Sequence, residues 1–192
     1  TLFNRWLSVF VVVLMTGSLS FFGNAAKAQN LANYAFSTNT NASLEDMTVS
    51  TEVVAGVQDS YASTVLPIGF NFYFMGQSYS HFNFTSNGLI RLHTSESGTA
   101  ITGTTYTNTA GVVTIAPFAG DNKVNNGMRY KVVGTAPNRK LILEFTGFTV
   151  YWTPNVLNAG NMQAWLHEGT GVIDFVYGEI YNASSSTQTR SI

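Results

Sequence analysis

The sequence contains no cysteine, only four prolines, and charged residues at just 10% of the chain. Each shortage excludes something. Without cysteine there is no disulfide framework, no thiolate zinc site and no cysteine nucleophile, so a folded domain must rest on its apolar core alone. The nine Lys and Arg residues are scattered and balanced by ten Asp and Glu, for a formal net charge of -1. That excludes the basic footprint of a nucleic-acid-binding protein, and no nucleic-acid partner is expected. Beyond the N-terminal segment no stretch keeps a helical apolar period over three turns, and no short internal repeat is present.

What the chain does have is aromatic side chains, at 14%, among abundant Ser, Thr, Asn and Gly. Thr, Asn and Gly are weak helix formers, whereas this mixture suits short strands with polar outer faces. The N-terminal segment is read as a targeting sequence. Arg5 precedes an apolar run from Trp6 to Phe22, and Ala26-Lys27-Ala28 fits a small-x-small cleavage rule. We expect residues 1–28 to be a signal peptide of the bacterial Sec-dependent kind, with Gln29 opening the mature domain, 29–192. The competing reading is a membrane anchor, since the run nears the ~18 to 20 residues needed to span. Polar breaks at Ser8, Thr16, Ser18 and Ser20 favour the signal peptide, with no membrane insertion after cleavage. Removing Arg5 and Lys27 leaves seven basic residues against ten acidic ones. The remaining ~160 residues are enough to bury a sizeable core.

Period-2 patterns dominate that domain. Phe70, Phe72 and Phe74 share one strand face, and Met75-Gly76-Gln77 is a turn. Phe82 and Phe84 alternate with His81, Asn83 and Thr85, and Asn87-Gly88 predicts a tight hairpin turn with positive φ. Residues 29–41 are either an edge strand or a lead-in. Thr94 to Ala110 reads as a long surface loop, Val112 to Phe118 as a strand, and Gly120 to Gly127 as a polar loop. Strands are predicted over Met128–Val133 and Lys140–Tyr151. A hairpin joins Met162–His167 to Val172–Tyr177 across Glu168-Gly169-Thr170-Gly171. Its inward set is either Met162, Ala164 and Leu166 with Ile173, Phe175 and Tyr177, or the opposite one. The expected fold class is all-β, an antiparallel β-sandwich, jelly-roll-like, preceded by the signal peptide.

Several side chains could bind something. Asp121, Asn122, Asn125 and Asn126 are oxygen donors in a Gly-bounded loop, the atom type calcium takes, although EF-hand spacing is absent. Turn chemistry is the competing reading, so no cofactor is expected beyond a weak calcium site. Tyr151 and Trp152, with Asn155 and Asn158 behind them, form a candidate platform for a flat ligand such as a sugar. Trp165, on an alternating strand, is expected in the core. His81, His93 and His167 share no metal-ligand spacing. Glu144, Glu168, Asp174 and Glu179 could supply a glycosidase carboxylate pair, but no strand carries acids at alternating positions. A Gly-x-Ser-x-Gly elbow is also missing, so no catalytic residue is assigned. Asn41-Ala42-Ser43, Asn83-Phe84-Thr85 and Asn182-Ala183-Ser184 match the N-glycosylation pattern.

The order of several motifs resembles nidogen-like (NIDO) extracellular domains and the N-terminal β-sandwich domains of large Bacteroidetes surface proteins. The motifs are Leu66-Pro67-Ile68-Gly69-Phe70-Asn71-Phe72, then Ser86-Asn87-Gly88, then Ile115-Ala116-Pro117-Phe118-Ala119-Gly120-Asp121, similar to an "APFWAD" run. Arg129-Tyr130 and Leu143-Glu144-Phe145 follow. The last is Gln163-Ala164-Trp165-Leu166-His167-Glu168-Gly169-Thr170-Gly171 with Ile173, Phe175, Tyr177 and Gly178. Together they cover roughly residues 65–180. Two departures stand out: Gly120 separates Ala119 from Asp121 and the run's tryptophan is absent, and position 145 is Phe rather than Trp. The resemblance implies a non-catalytic extracellular adhesion or structural module of a larger secreted or cell-surface protein. Its partner would be an extracellular protein or a glycan. The alternative is a carbohydrate-binding accessory module of a secreted enzyme. It further implies a strand beginning at Thr187, a domain cut short at Ile192 and a longer parent protein, while the start on Thr rather than Met leads us to expect a missing beginning.

Overall fold

The computed structural model of the chain describes residues 34–103, 111–152 and 159–182. The expected signal peptide and the strand expected from Thr187 lie outside these residues. Among the described residues there is no helix. The strands are β1 (Thr51–Val54), β2 (Leu66–Phe74), β3 (Gln77–Thr85), β4 (Leu89–His93), β5 (Thr114–Ile115), β6 (Lys123–Val124), β7 (Met128–Val133), β8 (Lys140–Val150), β9 (Gly160–His167), β10 (Ile173–Tyr177) and β11 (Tyr181–Asn182). A small sheet runs β2-β3-β4-β5. A large sheet runs β1-β7-β8-β9-β10, with β6 and β11 also paired to β8. Every pairing is antiparallel except β11 on β8. The chain is therefore an all-β sandwich.

The period-2 pattern builds the core directly. Ile68, Phe70, Phe72 and Phe74 of β2 are buried, while Pro67, Gly69, Asn71 and Tyr73 between them are exposed. Met75 and Gly76 both take positive φ, 51° and 76°, and Phe74 pairs with Gln77, a two-residue hairpin whose twist matches its strands. The β3–β4 connection forms the tight hairpin expected at Asn87-Gly88, with one residue more in its loop than the β2–β3 turn. Thr85 pairs with Leu89, so three residues form the loop, and only Gly88 takes positive φ, at 77°. Gly88 N–H donates to Thr85 O at 3.0 Å, closing a turn whose last residue is a glycine bulge.

The two sheets meet through aromatic edges. Phe82 of β3 meets the Tyr130 ring of β7 at 5.4 Å, and Phe84 meets Phe145 of β8 at 5.6 Å, both edge-on. Each fully buried side chain of this size contributes about 1.5–3 kcal/mol. β8 changes phase half-way. Leu141, Leu143 and Phe145 point into the core, a bulge falls between Thr146 and Phe148, and thereafter Phe148 and Val150 point inward. Asn161 Oδ1 accepts the bulge's Gly147 N–H, and Asn125 Nδ2 donates to Gly147 O. Of the two sets open for the β9–β10 hairpin, Met162, Ala164 and Leu166 are the buried ones, paired with Tyr177, Phe175 and Ile173.

Both sheets are also covered on part of their outer faces, which the sequence pattern does not announce. Residues 94–103 were expected as a surface loop, yet Ile101 is buried with Leu89 and Ala119 behind the small sheet. Beneath this cover Asn83 is completely buried, its amide bonded to Ile101 N, Ile101 O and Ser63 O. The glycosylation triplet at Asn83 is thus a structural residue in the folded chain, whereas Asn41 is exposed. The predicted strand 112–118 shortens to Thr114–Ile115, and the predicted polar loop 120–127 contains β6. Residues 34–41 form a lead-in rather than a strand. Residues 44–50 lie over the large sheet.

Candidate functional site at the end of the central strand

The candidate site lies where β8 ends. β6 pairs Lys123 with Thr149 and Val124 with Phe148, which brings the 120–127 loop beside Tyr151 and Trp152. Asn122 ties the two groups together. Its backbone N–H donates to Asn87 Oδ1 at 2.9 Å, its Nδ2 donates to Phe118 O at 2.8 Å, and its Oδ1 accepts Tyr151 N–H at 3.4 Å. Tyr151 sits at φ 78°, a conformation that a bulky residue adopts only when its surroundings enforce it. The adjoining Tyr151 and Trp152 rings lie 5.7 Å apart, tilted by 45°, and Trp152 is 44% exposed.

The residues proposed from sequence therefore divide. Tyr151, Trp152, Asp121 and Asn122 come together, while Asn155 and Asn158 lie outside the described residues. Asn122 is buried and spends its amide on Phe118 and Tyr151, and Asn125 spends its own on Gly147. These two asparagines brace the loop from within, because β6 pairing turns them toward the sheet. Asp121 is exposed. A residue not picked out from sequence joins it: burial raises the Asp59 carboxyl above its usual range, nearby Asp121 adds to the rise, and Lys123 opposes it. Asp59 arrives because Gln58 bridges to Val124. Behind the loop, the Phe118 ring meets Phe148 at 5.8 Å and Tyr177 at 6.4 Å. Tyr177 OH donates to Pro117 O, and burial pushes its hydroxyl up to about 12.

Elsewhere the charged candidates are committed to individual partners. Glu144 pairs with Arg129 at 2.5 Å, Glu168 with Arg139 at 2.5 Å, and Asp174 with His167 at 2.7 Å. Trp165 is not in the core. It lies half-buried on the outer face of the large sheet, with Lys140 Nζ 3.8 Å from its ring centre. His81 and His93 prove to be cross-strand partners, with His93 Nε2 bonded to Asn83 Oδ1 at 3.0 Å. A cleft beside Glu52, Val54, Asn126, Met128, Arg129 and Thr146 holds about 50 Å³. That is well under the ~300 Å³ at which small-molecule pockets begin.

Compared with known proteins, the chain matches the family model described as NIDO related over residues 33–192, and it belongs to that family. No curated protein and no solved structure matches it.

Proposed function

We propose that this NIDO-related chain is a non-catalytic interaction module of a larger secreted or cell-surface protein, and that its contact surface is the loop cluster at the end of β8. The observation that carries the reading is the Tyr151–Trp152 pair, an exposed indole beside a half-buried phenol ring on a backbone braced by Asn122. Aromatic side chains that combine an apolar body with a polar handle suit contact surfaces. Loops at the ends of a sandwich are where such scaffolds carry their contacts.

A second reading, a carbohydrate-binding accessory module, is favoured by the same ring pair, since a pyranose face can stack on an exposed indole. Glycan-array and pull-down measurements on the wild-type chain and Trp152→Ala separate the two. Loss of glycan binding on substitution supports the carbohydrate reading. Loss of protein capture alone supports the protein partner. Binding unchanged in both assays would overturn the assignment of this surface.

A further inference from the structure

Residues 44–50 cross the outer face of the large sheet as a strap, held by side chains instead of by strand pairing. Gln163 is the main reader. Its Oε1 accepts Glu45 N–H at 2.9 Å and its Nε2 donates to Glu45 O at 2.9 Å, so one side-chain amide grips both backbone groups of one residue. The amide is oriented by the sheet itself. Trp165 Nε1–H donates to Oε1 at 2.9 Å, and Glu144 Oε1 accepts from Nε2 at 2.8 Å. Glu144 is in turn fixed by Arg129 and by the Thr146 hydroxyl. Both amide hydrogens and both oxygen lone pairs of Gln163 are thereby used, and its two fixed partners do not belong to the strap.

The rest of the face reads side chains. Lys140 pairs with Glu45 while resting on the Trp165 ring, Lys131 donates to Asp46 O, and Met47 is buried to 2%. The charges match: Glu45 sits among Lys140 and Lys131, and Asp46 among Lys131 and Arg129, so an acidic segment lies on a cationic face. The chain leading into the strap, residues 35–43, is exposed and carries no strand or helix.

We propose that this face is a recognition site for an extended Glu-Asp-Met segment, occupied in the structure by residues 45–47 of the same chain, and that it takes the same segment from a second copy of the protein. The exchange conserves contacts, because each copy regains in the partner every strap contact it gives up; its cost is the association of two chains, which protein concentration offsets. It breaks no strand ladder, since the strap belongs to none. The Asp46–Thr48 and Met47–Ser50 turn contacts lie within the strap itself, so they travel with it and form in either arrangement.

The absence of native cysteine makes a cross-linking test direct. Leu44 Cδ1 lies 3.3 Å from the position a Cβ would take at Gly178, so Leu44→Cys and Gly178→Cys place two thiols across the strap contact. The full chain carrying both substitutions reports the strap on its own sheet. An equimolar mixture of the two single variants reports the strap on the other copy's sheet. The proposal expects interchain disulfide in the mixture, rising with protein concentration and lost when Gln163→Ala is added to the Gly178→Cys partner. Disulfide that forms within the double variant but not in the mixture overturns it.

A second measurement is independent of disulfide geometry. A labelled peptide of residues 43–50 is titrated into the full chain carrying Met47→Asp, whose own strap is weakened. Saturable binding, weakened about tenfold or more when the peptide carries Glu45→Pro and so lacks both the N–H read by Gln163 and the carboxylate paired with Lys140, supports the site. No saturable binding overturns it.

Discussion

Gly76 and Gly88 offer a controlled comparison, because they adopt the same backbone conformation in two different surroundings. Their φ values are 76° and 77°. A Cβ at Gly76 would meet nothing within 4 Å, whereas one at Gly88 would lie 2.3 Å from Phe118 O and 2.9 Å from Phe118 C. Substitution by alanine at either site incurs the left-handed cost of roughly 1–2 kcal/mol, offset by about 0.4–1 kcal/mol from a stiffer unfolded chain. Gly76→Ala should therefore lose about 1 kcal/mol.

Gly88→Ala must also drive two backbones apart until that contact clears 3.0 Å. The same gap is spanned by Gly120 N to Asn87 O at 3.2 Å and Asn122 N to Asn87 Oδ1 at 2.9 Å. Losing both adds about 1–3 kcal/mol, for a total of about 2–4 kcal/mol. In urea denaturation, with a slope of about 2 kcal/mol/M, the midpoint should fall by about 0.5 M for Gly76→Ala and 1–2 M for Gly88→Ala. Because Asn122 also holds Tyr151, only Gly88→Ala should shift the emission of Trp152 in the folded state. Equal midpoint losses at the two sites would refute the close approach of Gly88 to Phe118 as the source of the difference.

Two further perturbations follow from buried polar groups. Gln163→Ala strips hydrogen-bond partners from Glu144, Trp165 and Glu45 at once and should cost about 3 kcal/mol. Thermal unfolding should register this as a fall of about 6–12 °C, and a loss of under ~1 kcal/mol would refute the network. Burial, aided by the charges of Arg91 and His81, holds the His93 imidazole below its ordinary value of 6.5. The unfolded chain thus takes up a proton where the folded chain resists it, so stability falls as pH drops through the window just below 6.5. Urea midpoints against pH should show this slope in the wild type and not in His93→Gln; an unchanged slope would place its origin elsewhere. Glu45, whose pKa Lys140 holds below 4.5, adds its own loss only at more acid pH, which keeps the two windows apart.

The parts of the fold that were legible in the sequence are those encoded over a few residues. The Phe70-Phe72-Phe74 alternation, the Met75-Gly76 turn and the β9–β10 hairpin each follow from local spacing, and each formed where expected. What local spacing does not encode is the register between distant strands. His81 and His93 share no ligand spacing along the chain, yet become neighbours once β3 pairs with β4. The candidate site was legible as two separate groups, and only the pairing of β6 with β8 joins them and adds Asp59. Trp165 alternates like a core residue, but β9 has a second covered face, and its cover comes from a segment 118 residues from Gln163. Alternation marks which residues share a face; it does not say which face meets solvent.

The strap has a mechanical consequence if the domain bears load between neighbouring parts of a longer chain. Residues 34–50 are seventeen residues attached by side-chain grips at a few points and by no ladder. A pull from the residue 34 side detaches those grips one after another before any strand of either sheet is disturbed. The release supplies up to roughly 55 Å of contour at ~3.3 Å per residue. The sandwich thus carries its own length of slack, paid out under tension and taken up again when the force is removed.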